Sequence, residues 1–296
     1  MAKDRYATNS TRAGAHPLGL PDAEQLRKYR IWDCYFTPAH SHPGRDGSER
    51  LIAEIQRSIP AIKLGCFERL CYFAHVGIGT TGDAQLESRL RANSDLVELP
   101  LKRYPEKLMA MIQLNGHDVN ASLDAINRWL ADGPMIGVYL PGGGAGAVTC
   151  TDPSIDRLVS RVAELRGLII QHTWFKTGGK QGPGESTPTE LAELARRYPE
   201  QPFICAHAGG EWERGLRAVR REPNVFVETS GFDSTAGFVE MAIREVGARR
   251  IIFGSHLPSR SLGTELAKVI GANVSEADKR LILGENFRRL IGSRPL

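Results

Sequence analysis

The sequence predicts a (β/α)8 TIM barrel, in the α/β class, on three observations. Short apolar runs recur along the chain, segments of helical period separate them, and histidines gather at the C-terminal ends of the runs. The runs are RIWDCYF (30–36), LCYFAHV (70–76), LMAMIQL (108–114), MIGVYL (135–140), LIIQHTW (168–174), PFICAHA (202–208), NVFVETS (224–230) and RIIFGSH (250–256). Each has the length and the β-branched or aromatic content of a strand covered on both faces. Between them, Ile155, Leu158, Val159 and Val162 keep the i, i+3, i+4, i+7 spacing of one apolar helical stripe. Leu191, Leu194, Ala195 and Tyr198 repeat it, as do Val239, Ala242, Ile243 and Val246. Asp152 with Pro153 and Ser186 with Pro188 read as helix starts, and Gly167 and Gly247 as helix ends. A doubly wound open sheet shares this alternation. The barrel is preferred because barrel chemistry sits at the strand C-terminal ends, where His75, His117, His172, His207 and His256 fall.

A length of 296 residues suits one such barrel, placed at 29–296 behind an N-terminal arm, 1–28, that lacks a sustained period. With 41% hydrophobic and 24% charged residues the chain can bury a large core. The formal charge of +4 is spread over 38 basic and 34 acidic residues without a basic stripe, so nucleic acid is not an expected partner. Five scattered cysteines, Cys34, Cys66, Cys71, Cys150 and Cys205, form no CxxC pair and fit a reduced, cytoplasmic protein. No stretch has the apolar length of a membrane span, and the N-terminus lacks the apolar core of a signal peptide. A small molecule is the expected partner, with homo-oligomerisation left open.

The strand ends QHTW, CAHAGG and FGSHLP, followed by ILGENFRRLIG, resemble the decarboxylase and lactonase branch of the amidohydrolase superfamily over residues 29 to 292. That branch carries Asp-x-His-x-His on the first strand, a metal-binding histidine on the fifth, a catalytic histidine before Gly-Gly on the sixth, and Gly-Ser-Asp-x-Pro on the eighth. The resemblance assigns His172 and His207 to the fifth and sixth positions. Asp33 keeps the first-strand aspartate, but Tyr35 and Thr37 stand where histidines are expected, and His256 stands in the acidic position. A protonated phenol and a neutral hydroxyl are poor ligands, and losing the carboxylate removes a proton acceptor for the nucleophilic water. No cofactor is therefore expected. The alternatives are a divalent metal such as zinc on His172, His207 and His256, or one drawn to His40 and His42 in TPAHSHPG.

The leading expectation is hydrolysis of a small anionic or oxygen-rich ester, lactone or amide by imidazole acid–base chemistry. His207 would move the proton, His172 and His256 would position the carbonyl, and Asp33 would set a tautomer. Non-oxidative decarboxylation of a small carboxylic acid is the alternative, and a catalytically inactive binding barrel is a third reading. Substrate contacts are expected from Tyr35, Trp174, Lys176, Arg214, Arg260, His75, His117 and Glu228. The segment TWFKTGGKQGPGEST is read as a flexible cover, and PGGGAG (141–146) as a mobile loop without the Lys-Ser/Thr of a phosphate cradle. For Arg214 and Arg260 the alternative is solvated surface charge, and for His75 and His117 a packing role.

Overall fold

A computed structural model describes residues 21–37, 47–75, 100–142, 147–233 and 235–292. Eight strands, β1 (Ile31–Phe36), β2 (Phe67–His75), β3 (Leu108–Gln113), β4 (Gly137–Leu140), β5 (Leu168–Gln171), β6 (Phe203–Cys205), β7 (Val225–Glu228) and β8 (Ile251–Ile252), pair in sequence order. All seven pairings are parallel. The order never reverses, which removes the doubly wound alternative. The segment after β8 returns to β1: Cys34 N–H donates to the Phe253 carbonyl at 3.1 Å, His256 N–H to that of Tyr35 at 2.8 Å, and Thr37 N–H to that of Leu257 at 2.8 Å. The ring is thus a (β/α)8 barrel closed beside its mouth.

Strand side chains alternate between two cores, as a period of two requires. Phe203 and Cys205 on β6 pack outward under the helices, while Ile204 and Ala206 fill the barrel with Ile170, Met111 and Ile252. On β7, Val225 and Val227 face outward and Phe226 inward, so Glu228 falls on the interior side. The helical stripe Ile155, Leu158, Val159, Val162 is buried on its helix, Pro153–Glu164. Each such side chain contributes roughly 1.5–3 kcal/mol of burial.

The structure adjusts three sequence expectations. The arm contains a short helix, Ala23–Arg27, capped reciprocally by Asp22 and Gln25, while residues 1–20 lie outside the described residues. Thr187, not Ser186, caps the helix Pro188–Arg197, in a capping box with Glu190. Ser186 Oγ instead accepts from Cys150 N–H at 2.9 Å. Strands β5, β6 and β8 end earlier than their apolar runs suggest, so His172, His207 and His256 stand just beyond the ladder, on the rim. Among the described residues no helix is long and apolar enough to cross a membrane.

Candidate active site

The site is built where β5 to β8 and β1 end. After Cys205 the backbone turns left-handed through His207 (φ 60°), Ala208 (φ 46°), Gly209 (φ 83°) and Gly210 (φ 77°). A side chain at Gly231 would sit 2.4 Å from His207 Nδ1, and one at Gly142 would sit 1.9 Å from His172 Nδ1. Glycine at both places is what lets the backbone close around the two imidazoles. The ring centroids of His207 lie 4.9 Å from His172, 5.2 Å from His256, 4.6 Å from Tyr35 and 5.8 Å from Trp174. Three histidines far apart in sequence therefore share one pocket. Tyr35, Phe73 and Tyr139 form its aromatic wall, with Phe73 stacked on Tyr139 at 4.3 Å and Tyr35 edge-on to Phe73 at 4.7 Å.

His207 is 2% exposed and fully partnered on one edge. Its Nδ1 lies 3.0 Å from the Ser230 carbonyl and 3.3 Å from Glu228 Oε2, while its backbone N–H donates to Oε2 at 2.9 Å. A carbonyl only accepts, so the Nδ1 proton is fixed there and Nε2 is the nitrogen left for exchange. Burial pushes the Glu228 carboxyl up, but hydrogen bonding with His207, the imidazole charge and the Ser230 side chain outweigh it and hold Glu228 below the usual carboxylate range.

The other two imidazoles are held neutral. Burial, then the neighbouring His207 and His256, push His172 down to about 3. Burial and His207 push His256 down to about 4. His256 Nδ1 lies 2.5 Å from Ser259 Oγ and 3.3 Å from Thr37 Oγ1, and Thr37 donates to the Leu257 carbonyl at 3.2 Å. His172 Nδ1 is buried without a hydrogen-bond partner among the described residues.

Asp33 does not set a histidine tautomer as expected. Its Oδ1 accepts from Tyr35 N–H and Ser255 N–H, each at 2.9 Å, and its Oδ2 accepts from Ser255 Oγ at 2.5 Å. The carboxyl stitches β1 to the segment after β8, and burial raises it to about 7 despite these donors. The three expected substrate cations are also engaged. Lys176 pairs with Glu185 at 2.6 Å, Arg214 with Glu211 at 2.6 Å over the Phe175 ring, and Arg260 donates to the Gly231 carbonyl at 2.6 Å. The Lys176 pair, Trp174 N–H on the Ser186 carbonyl at 2.9 Å and a Gln181 amide on the Trp174 carbonyl tie the expected cover loop to itself. His117 stands exposed in the turn before the helix Val119–Ile126, its N–H donated to Asn115, away from the imidazole cluster. His75 ends β2, but its side chain, like His40, His42 and residues 143–146, lies outside the described residues. Phe73, Tyr139, Ser230 and Ser255 enter the site without having been singled out as binding residues. Only the period-two spacing of Glu228 and Ser230 and the serine of GSHLP hinted at two of them.

The donor set fits a divalent ion poorly. Burial, Tyr139 and Glu228 hold the Tyr35 phenol protonated, well above its usual range, and it donates to Tyr139 at 3.1 Å. Thr37 gives its proton to a carbonyl, and His207 Nδ1 is committed to Ser230. Of the buried Nδ1 atoms only that of His172 is unpartnered among the described residues, and the ligand positions of the resemblance hold a phenol, a hydroxyl and an imidazole in Tyr35, Thr37 and His256. Among the described residues no three His, Cys, Asp or Glu side chains are grouped to hold a metal.

The family profile described as Amidohydrolase matches residues 72–292, most of the chain. A search of curated proteins returns no match. Among solved structures, a 2,6-dihydroxybenzoate decarboxylase from Rhizobium superposes with a TM-score of 0.67 at 17% identity, covering 88% of this chain and 98% of that one. A 5-carboxyvanillate decarboxylase from Novosphingobium aromaticivorans, holding manganese and 3-methoxy-4-hydroxy-5-nitrobenzoic acid, gives 0.67 at 13% identity over 90% and 97%. A dihydroxybenzoic acid decarboxylase from Polaromonas, with manganese and 2-nitroresorcinol, gives 0.61 at 15% over 88% and 96%. These neighbours are named as decarboxylases, not hydrolases, and two of them hold manganese, so the expectation of no cofactor is left unsupported. At these identities the likeness carries the fold, while the matched profile and the barrel that bears it establish that the chain belongs to the amidohydrolase family.

Proposed function

We propose that this barrel is a non-oxidative decarboxylase of small aromatic carboxylic acids, with His207 as the proton donor. The observation that carries the reading is the buried pair of His207 and Glu228, with Nδ1 fixed by the Ser230 carbonyl and Nε2 left for substrate. Decarboxylation needs a proton donor at the carbon that loses CO2, and an imidazole whose Nδ1 is held by a carbonyl presents Nε2 for that transfer. The proton passes from Nε2 to the ring carbon bearing the carboxylate, using a π pair of the ring. The bond to the carboxylate then breaks, its electron pair restores the ring, CO2 leaves, and solvent returns a proton to Nε2.

Tyr35, Phe73, Tyr139 and Trp174 supply flat apolar surface for an aromatic ring. The neutral His172 and His256 offer hydrogen bonds without a full counter-charge, so a carboxylate there is poorly stabilised and its departure as CO2 is favoured. The aromatic acids named for the structural neighbours support the same substrate class. No step is routed through a metal, because the donors do not fit one.

The test is a panel of hydroxylated benzoates followed by CO2 release and, in D2O, by deuterium entering the vacated ring position. His207→Ala is expected to lower turnover by about 10² to 10⁴ while the fold persists. The reading fails if the parent hydrolyses esters or lactones and releases no CO2 from any acid, or if the alanine variant matches the parent.

A further inference from the structure

Behind His207 lies a buried ion pair that the proton-transfer scheme does not use. Glu265 and Lys268, three residues apart on the helix Leu262–Ile270, have side chains that are 1% exposed each and approach to 2.9 Å. A buried ammonium is costly unless every N–H finds an acceptor. The charge on Lys268 Nζ is offset by the ion pair with Glu265, and Nζ donates to the Phe232 carbonyl at 2.7 Å and the Thr229 carbonyl at 3.2 Å and sits 4.1 Å from the Phe232 ring centroid.

The two carbonyls flank a segment that belongs to no helix or strand. From Thr229 to Phe232, four successive carbonyls each face a donor: Lys268, His207 Nδ1, Arg260 and Lys268 again. Three of the four are held from the side of β8 and the helix after it. The one left over, Ser230, is the one that fixes His207. The segment's own amides add little restraint beyond Thr229 N–H on the Ile252 carbonyl and Ser230 N–H on Glu228.

We infer that Lys268 is a positioning residue: its ammonium, anchored by Glu265, clamps the 229–232 backbone so that the Ser230 carbonyl holds the Nδ1 proton of His207 and leaves Nε2 to the pocket. Arg260 is the outer jaw of the same clamp through Gly231. The inference takes its catalytic meaning from the proposed role of His207, but its geometry can be read without any substrate.

The probe is the Nδ1–H resonance of His207 in protein labelled with 15N-histidine, assigned by its absence in His207→Gln. In the parent this proton is expected to exchange slowly with solvent. In the double variant Lys268→Met/Glu265→Gln, which keeps shape and leaves no lone charge, exchange is expected to rise by about 10-fold or more with unchanged circular dichroism. Should the double variant fail to fold, Arg260→Ala at the exposed jaw is expected to accelerate exchange in the same direction. With a substrate in hand, either variant is expected to lower kcat more than it changes KM. A parent without a protected Nδ1–H, or a folded variant whose exchange matches the parent, overturns the clamp. An absence of decarboxylation alongside the expected exchange behaviour overturns the reading of function alone.

Discussion

His172 should make the protein acid-labile, and the size of the effect follows from its surroundings. Burial and two neighbouring imidazoles push its pKa down from an ordinary 6.5 to about 3. Between those values the unfolded chain binds a proton at this side chain and the folded chain does not, so acidification favours unfolding. The stability tied to His172 is whole above pH 6.5 and drains away as pH falls towards 3. Going from pH 7 to 4.5 crosses two pH units of that window, worth about 2.7 kcal/mol at 1.36 kcal/mol per unit. The raised Asp33 and Glu265 work the other way, since on acidification they take up their protons in the folded chain, at about 7, before the unfolded chain does. The measurement must therefore be a difference. Urea unfolding of the parent and of His172→Gln at pH 7 and 4.5 is expected to show the parent losing about 2–3 kcal/mol more than the variant. Equal losses would refute the argument, as would an NMR titration in which the His172 ring protonates near pH 6.5.

Two further outcomes follow from the same pocket. Gly231→Ala combines a left-handed φ of 89° with a collision against His207 Nδ1, whereas Gly237→Ala has nearly the same φ, 88°, and open space. Thermal unfolding should report about 1 kcal/mol lost at Gly237 and clearly more at Gly231, with turnover falling only at Gly231; equal effects at the two sites would remove the claim of close fit. Restoring the acidic and histidine positions with Tyr35→His, Thr37→His and His256→Asp is expected to raise zinc or manganese affinity at least about tenfold over the parent by titration calorimetry. A parent that already binds as tightly would overturn the donor argument.

The barrel was legible because its signals are local: each strand is a short apolar run, and each helix stripe repeats within one or two turns. His172, His207 and His256 were legible as a group because strand ends on one rim must converge. The roles of charged residues were not, since their partners are set by the fold. Asp33 looks like a tautomer-setting carboxylate until Ser255, 222 residues away, is seen donating to it. Lys176, Arg214 and Arg260 read as free cations, yet each finds a carboxylate or carbonyl nearby. Glu265 and Lys268 have the spacing of an ordinary solvated helix pair, and only the packing of their helix against the 229–232 segment buries them. The motif at the sixth strand pointed to His207 but gave no hint that Glu228, one strand over, would hold its backbone and ring.

Two of the three clustered histidines, His207 and His256, sit at positive φ, as does Ala208. An L-residue in that region costs about 1–2 kcal/mol that a glycine avoids, so these positions together draw on a sizeable part of a domain's net stability. Glycine would avoid that backbone cost at both places, but at 207 it would also strip the buried Glu228 of its imidazole partner. The backbone thus carries a standing conformational cost at the two rim imidazoles, and the packing around them must hold it in place.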